Sequence, residues 1–218
     1  MYSYTYVYSV TNKNFVHLSS LYQCGHDNSG YGSIIHNYGD KTLISTNITK
    51  TRCSSCAGYI FSYDPVNINF CCFISNENYK IGYTCMGHFE TPDSFVKKSI
   101  FKNNSAKIDG YYLGLHSSSF STVTVSECIF LQNTANHVFS AVYDSILTVI
   151  NCTGDNLTAT SYSLGKVTTD QMKTDSFNIT LSLLSLGECD AENPFSFEHS
   201  LFVGQTSKIK FLRINRRR

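Results

Sequence analysis

The chain has 218 residues, a formal net charge of +1, 42% apolar residues and only 15% charged ones. That apolar share supports one large domain with a real core and argues against global disorder. With 29 Ser, 20 Thr, 18 Asn, 15 Tyr, 15 Phe and no Trp, the composition favours strands and turns over long helices, so an all-β fold is expected.

At the N-terminus, Tyr2, Tyr4, Tyr6 and Tyr8 alternate with Ser3, Thr5, Val7 and Ser9. This period-2 pattern reads as a strand, and as a first rung if the fold is a coil. The segment has no basic n-region and no apolar h-region, so it is not a signal peptide. No run of 18 apolar residues occurs, so no membrane span is expected in this chain. Two readings stay open: a cytoplasmic protein, or a piece of a longer secreted chain.

The middle of the chain repeats itself. Lys98-Ser-Ile-Phe-Lys-Asn-Asn-Ser-Ala106 and Glu127-Cys-Ile-Phe-Leu-Gln-Asn-Thr-Ala135 share Ile-Phe-x-x-Asn-[Ser/Thr]-Ala, and Cys71-Cys-Phe-Ile-Ser-Asn76 fits the same frame. Weaker copies at Leu21–Cys24, Cys53–Cys56 and Thr153–Asn156 place anchors at 21, 53, 73, 101, 130 and 153, a mean spacing of about 26 residues. The structural repeat anchors are therefore Phe73/Asn76, Phe101/Asn104 and Phe130/Asn133. A second short segment follows each anchor: Gly32–His36, Gly58–Phe61, Ile81–Cys85, Tyr111–Leu115, Val138–Tyr143 and Ser161–Gly165. A third precedes the next anchor, most clearly at Thr42–Thr46, Val66–Phe70, Thr122–Val125 and Ile146–Ile150. Short strands at this period, joined by Asn, Gly, Ser and Asp turns, predict a coil whose rungs pair through parallel ladders about 4.8 Å apart. Phe, Ile, Val and Cys then fill the interior, and stacked Asn side chains hold the turns. Gly25, Gly30, Gly32 and Gly39 read as turn glycines.

This recurrence resembles the right-handed parallel β-helix (pectin-lyase-like) family, and within it the surface repeats of polymorphic outer-membrane-type proteins. Those repeats join Phe-x-x-Asn to Gly-Gly-Ala-Ile. The first motif is met at Phe73/Asn76, Phe101/Asn104 and Phe130/Asn133; the second is reduced here to Gly32-Ser-Ile-Ile and Gly58-Tyr-Ile. The resemblance spans residues 15–165. It implies a right-handed solenoid of about six rungs, roughly 30 Å long, placed outside the cell or on its surface. Residues 1–207 are then one β-helix domain. Phe177–Leu186 reads as a further strand near its far end, and Ser207–Asn215 as a final strand running into the basic tail.

Residues 208–218 form a separate basic tail. Residues 1–207 hold 16 acidic and 11 basic side chains, while the last eleven residues hold six basic ones and no acid. Such a tail suits anionic lipid or nucleic acid, but a solvated, frayed terminus is the simpler reading, and no nucleic-acid partner is expected.

The nine cysteines are Cys24, Cys53, Cys56, Cys71, Cys72, Cys85, Cys128, Cys152 and Cys189. Cys53-x-x-Cys56 with Cys71-Cys72 could be read as four zinc ligands. Adjacent residues on a strand point to opposite faces, so Cys71 and Cys72 do not converge on one ion. Mostly buried, reduced thiols acting as small apolar side chains are expected, and no metal and no cofactor. None of His17, His26, His36, His88, His116, His137 and His199 stands at metal-binding spacing. Hydrolases of the β-helix family cluster Asp residues, and glycoside hydrolysis needs paired carboxylates. Here there is no Asp-Asp, no Asn-Thr-Asp and no Gly-His-Gly, and Lys208-Ile-Lys210 is only faintly similar to the Arg-Ile-Lys of those enzymes. Lyases of the family use an Arg base, but Arg52 is the only arginine before residue 213. No catalytic residue is assigned. Sequons at Asn47, Asn103, Asn151, Asn156 and Asn178 match the roughly four that chance gives. The expected function is a structural or interaction module of adhesion type that meets proteins or glycans along its flank. The alternative is a carbohydrate-active β-helix enzyme.

Overall fold

A computed structural model describes residues 5–7, 14–23, 31–36, 39–53, 56–62, 64–78, 87–89, 93–106, 115–118, 120–155 and 157–173. Among them there is no helix, and every strand pairing is parallel. The fold is an all-β parallel solenoid. Four sheets make its wall. The first runs Thr5–Val7, Tyr31–His36, Cys56–Ser62, Gly87–Phe89, Leu115–Ser117, Phe139–Val142 and Ala159–Tyr162. The second runs Asn14–His17, Lys41–Ile44, Val66–Asn69, Ser94–Lys97, Thr122–Ser126, Ile146–Ile150 and Lys166–Asp170. The third runs Ser20–Tyr22, Asn47–Thr49, Cys72–Ile74, Ile100–Lys102, Ile129–Leu131 and Thr153–Gly154. A short sheet of Arg52–Cys53, Glu77–Asn78 and Ser105–Ala106 follows the third.

The expectation of six rungs needs correcting, because the sealed coil makes about four turns. Among the described residues the buried core reaches from Leu43 to Cys152. Strands beyond it still pair in register, but their inward side chains are only partly buried, Val16 and Leu21 at one end and Val167 at the other. At about 4.8 Å per rung the sealed part is roughly 20 Å long, not 30 Å.

Register also corrects two anchors. Leu21, Ile48, Phe73, Phe101, Phe130 and Gly154 lie directly above one another in the third sheet. Ile48, not Cys53, is the second anchor, and Gly154, not Thr153, is the last. The spacings become 27, 25, 28, 29 and 24, more even than the sequence frame had them. Cys53 belongs instead to the short sheet, opposite Asn78. Gly154 has no side chain for a reason: a Cβ there would meet the Phe130 carbonyl oxygen at 2.7 Å and the Leu157 side chain at 2.5 Å.

The described first-sheet strands of the fourth and fifth rungs are Gly87–Phe89 and Leu115–Ser117, the second of which opens on the last residue of the expected 111–115 segment. Residues 81–85 and 111–114 lie outside the described residues, as do Tyr2, Tyr4, Tyr8, the strands expected at 177–186 and 207–215, and the tail at 208–218.

The corners explain how so few glycines suffice. Each second-sheet strand ends in one residue of left-handed backbone: Leu18, Ser45, Phe70, Lys98, Glu127, Asn151 and Gln171, with φ between 46° and 56°. A second column, Gln23, Lys50, Ser75, Asn103 and Gln132, turns the chain out of the third sheet in the same way. This conformation costs an L-residue about 1–2 kcal/mol. It persists because each amide finds the next rung: Ser45 N–H bonds the Asn69 carbonyl at 3.1 Å, and Lys98 N–H the Ser126 carbonyl at 3.0 Å.

Candidate functional site

The interior is devoted to packing, and three stacked columns define it. Phe73, Phe101 and Phe130 are each 0% exposed. Their rings stack at 4.8 Å between centroids, 11° and 4° from parallel. Phe139 of the first sheet closes on Phe130 edge-on at 4.9 Å, so the first and third sheets face each other across the core.

Three residues past each Phe stands an Asn, and these form a ladder. Asn104 Oδ1 accepts the Asn76 backbone N–H at 3.1 Å and the Asn76 amide at 3.0 Å. Asn133 Oδ1 accepts the same pair from Asn104, both at 3.0 Å. Each amide also donates back one rung, Asn76 to Ile48 O, Asn104 to Phe73 O and Asn133 to Phe101 O, at 2.8–2.9 Å. The six anchor residues read from the sequence are thus brought together as three Phe and three Asn in two adjoining columns.

Below Asn76 the column position belongs to Thr51, three residues past Ile48, and not to Cys56, which instead opens a first-sheet strand. Thr51 donates its backbone N–H to Asn76 Oδ1 at 3.1 Å, but its buried hydroxyl has no hydrogen-bond partner. Thr51→Asn is therefore expected to extend the ladder by one rung and to stabilise the fold by about 1 kcal/mol. A rise in the urea midpoint at unchanged m-value would register it, and a fall would show that the column cannot take the larger side chain.

The third column lies just after the second-sheet corner and was only partly legible. It contains Ser19, Thr46, Cys71, Ser99, Cys128 and Cys152, so Cys152 joins Cys71 and Cys128 once the last anchor is corrected. Each side chain donates to the carbonyl two residues back: Thr46 to Ile44 at 3.2 Å, Cys71 to Asn69 at 3.4 Å, Ser99 to Lys97 at 2.8 Å, Cys128 to Ser126 at 3.3 Å and Cys152 to Ile150 at 3.4 Å. Ser99 Oγ and Cys152 Sγ also accept the N–H of the preceding rung, from Cys71 and Cys128. A small donor–acceptor side chain is what this corner needs, so Ser, Thr and Cys exchange freely. Cys71, Cys128 and Cys152 are free and buried. Burial pushes the Cys71 thiol up to about 11 and the Cys128 thiol well above its usual range. Both stay protonated at neutral pH and serve as donors, not nucleophiles. Cys72 departs from the expectation of reduced thiols, because it is disulfide-bonded.

One charged side chain is buried among the described residues, Lys41, at 2% exposed. Its ammonium donates to Gly39 O at 2.9 Å. Burial pulls it down to about 8 against the opposing pull of Asp64 and Asp40. Asp64 accepts the Gly39 N–H, so the two charges fasten one corner from both sides. Other carboxylates also serve the wall: Glu77 meets Arg52 at 3.2 Å, Glu127 meets Lys98 at 3.9 Å, and Asp155 accepts the Gln132 N–H at 2.7 Å. Among the described residues no three His, Cys, Asp or Glu side chains gather as a metal site. Among the described residues no helix is long and apolar enough to cross a membrane.

The surface feature that remains is the outer face of the second sheet. Its central column is Phe15, Thr42, Asn67, Phe95, Thr124, Thr148 and Thr168, in register over seven strands. Alternation turns these residues away from the buried Leu43, Ile68, Val96, Val125 and Val149. Thr168 donates to the Thr148 hydroxyl at 3.2 Å, and the Lys97 ammonium sits 4.7 Å from the Phe95 ring centre. The result is a flat strip of hydroxyl and amide groups at rung spacing, broken by aromatic rings. Comparison with family models, curated proteins and solved structures finds no match for this chain.

Proposed function

We propose that this solenoid is a non-enzymatic binding module of adhesion type, working outside the cell or at its surface, with the outer face of the second sheet as its contact surface. The observation that carries this reading is the in-register Thr/Asn column with Phe15 and Phe95 set into it. Hydroxyls and amides repeating at about 4.8 Å offer donors and acceptors to an extended polar ligand, and exposed rings offer it a stacking surface. A glycan chain presents both chemistries, so it is the favoured ligand. The disulfide at Cys72 agrees with an oxidising compartment. So does the resemblance to right-handed β-helix repeats of polymorphic outer-membrane type. The alternative, a carbohydrate-active β-helix enzyme, needs paired carboxylates, whereas the described Glu77, Glu127 and Asp155 are each engaged with a neighbouring rung.

The experiment is binding of the full chain to immobilised neutral and acidic oligosaccharides, beside the double variant Thr124→Lys/Thr148→Lys. Both positions face outward, so folding should survive. Binding to a subset of glycans and a loss of about tenfold or more in the variant is expected, equivalent to about 1.4 kcal/mol. Equal binding by the variant would move the contact surface elsewhere. Release of reducing-end or unsaturated sugars from a polysaccharide would establish the enzyme instead.

A further inference from the structure

Two thiols meet at one place in the Ser/Thr/Cys corner column. Read from the end of the core, the column runs Cys152, Cys128, Ser99, Cys71 and Thr46, because the strands that follow pair Thr153 with Ile129, Ile129 with Ile100, Ile100 with Cys72 and Cys72 with Asn47. Ser99 separates Cys71 from Cys128. Cys128 and Cys152 stand on successive rungs, one directly above the other. Both are free, at 1% and 0% exposure. Two hydrogen bonds hold them together: Thr153 N–H to Cys128 O at 2.9 Å, and Cys128 N–H to Cys152 Sγ at 3.4 Å.

We propose that Cys128 and Cys152 form an oxidation site, closed by a hydroperoxide into a disulfide that staples two successive rungs. The separation suits the bond. Neighbouring rungs lie about 4.8 Å apart, inside the Cα window of about 4.4–6.8 Å that a disulfide accepts. The Cys152 sulfur already lies toward the lower rung, 3.8 Å from Val125 O and 3.4 Å from Cys128 N. The Cys128 sulfur points the same way, toward Val96 O at 3.6 Å. One χ1 rotation turns it up to Cys152. That rotation gives up only its contacts with Val96 O and Ser126 O.

The place in the coil gives an oxidant its way in. Among the described residues Cys152 is the last member of the buried core; beyond it Leu157, Val167 and Met172 are only partly buried. A stack of rungs opens most readily at its ends, so a molecule the size of water reaches a thiol there before any deeper one. Cys128 donates toward Cys152 and holds that thiol below its ordinary value, while burial keeps the Cys128 thiol up. Cys152 is therefore the attacking sulfur. Its thiolate displaces hydroxide from hydrogen peroxide and becomes a sulfenic acid. Cys128, a donor in the reduced protein, then turns and attacks that sulfur, and its proton leaves with the hydroxyl as water. Two thiols thus give two protons and two electrons to one peroxide, forming one S–S bond and two waters.

The test treats the folded full chain with hydrogen peroxide, quenches with catalase, unfolds it in N-ethylmaleimide and digests it with trypsin without reduction. Peptide 108–166 is diagnostic: trypsin cuts after Lys107 and Lys166, and the stretch between holds Cys128, Cys152 and no other cysteine. The expected result is this peptide unlabelled and two hydrogens lighter than the dithiol, and labelled at both cysteines when dithiothreitol precedes the label. In Cys152→Ser, which copies Ser99 in the same column, Cys128 stays open to the label. In Cys128→Ser, Cys152 stops at the sulfenic acid and is trapped by dimedone. The staple should also raise the urea midpoint of the parent protein, reversibly with dithiothreitol, and leave that of Cys152→Ser unmoved. Both cysteines labelled after peroxide, a link from this peptide to another, or closure only in protein unfolded before treatment overturns the proposal. So does a parent midpoint that fails to rise on oxidation.

Discussion

Replacing Phe101 with alanine is expected to destabilise the protein by about 3–5 kcal/mol. Phe101 is 0% exposed and lies between two parallel rings at 4.8 Å, so truncation removes stacking on both sides at once. The hole cannot collapse easily, because rung spacing is fixed by backbone hydrogen bonds above and below: Ile100 N–H to Cys71 O at 2.9 Å and Ile129 N–H to Ser99 O at 3.0 Å. In a stack of rungs each one rests on its neighbours, so a weakened middle rung uncouples two halves of the coil. Leu21, partly buried at the end of the same column, has a column neighbour on one side only among the described residues. Leu21→Ala should cost less than half as much as Phe101→Ala. Urea unfolding of both variants checks this: equal losses would show that the column does not transmit stability between rungs. Since whole-domain stability is about 5–15 kcal/mol, the Phe101→Ala protein should sit close to its unfolding threshold.

The Phe column was legible in the sequence because both signals of a rung, Phe and Asn, occur together at 73/76, 101/104 and 130/133. The second rung carries Ile48 and Thr51 instead. Ile fills the interior nearly as well as Phe, and the Thr51 backbone N–H still reaches Asn76, so the fold tolerates the change while the text of the repeat disappears. Cys53-x-x-Cys56, five residues on, then offered a false frame. The last anchor failed in the opposite direction, since Gly154 is required by a close approach of the Phe130 carbonyl and Leu157, which no local pattern announces. Corners were the least legible. Of the expected turn glycines, Gly39 takes a left-handed turn, Gly32 lies in a strand, and Gly25 and Gly30 lie outside the described residues; the repeating corner positions are held instead by Leu18, Phe70, Lys98, Glu127 and others, whose cost is offset by hydrogen bonds to the next rung. A side-chain preference cannot reveal a conformation that the neighbouring rung enforces. The Ser/Thr/Cys corner column could have been found from the sequence once the anchors were right, because all its members stand two residues before an anchor. As for the contact surface, Ser, Thr and Asn abundance pointed to a polar flank. Only register showed that Thr124, Thr148 and Thr168 share one line.

The Asn ladder gives a sharper test, because two substitutions at one position should differ in their response to pH. Asn104 serves four partners: it accepts from the Asn76 backbone and side chain and donates to Phe73 O and Asn133 Oδ1. Asn104→Leu keeps the volume but leaves the Asn76 N–H and one Asn76 amide hydrogen without an acceptor in a site that is 1% exposed. At about 1–3 kcal/mol for each buried group left without a partner, a loss of about 2–6 kcal/mol is expected. Nothing in that change titrates, so the loss should be the same at pH 7 and pH 4. Asn104→Asp keeps both acceptor roles but turns the two donors into oxygen facing oxygen. Burial and the Phe73 and Asn133 oxygens then disfavour the carboxylate, so its folded pKa rises above the unfolded value of about 3.9. The folded state binds the extra proton more tightly than the unfolded state, and stability must therefore fall as pH rises through that window. Below it the carboxyl is protonated and can donate to one of the two oxygens again. The gap between Asn104→Asp and the parent protein should be widest near pH 7 and narrow steadily toward pH 4, while the Asn104→Leu gap stays flat. Urea midpoints of the three proteins across that range decide the matter. A flat gap for Asn104→Asp would mean that solvent reaches the ladder and that the amides do not form a sealed column.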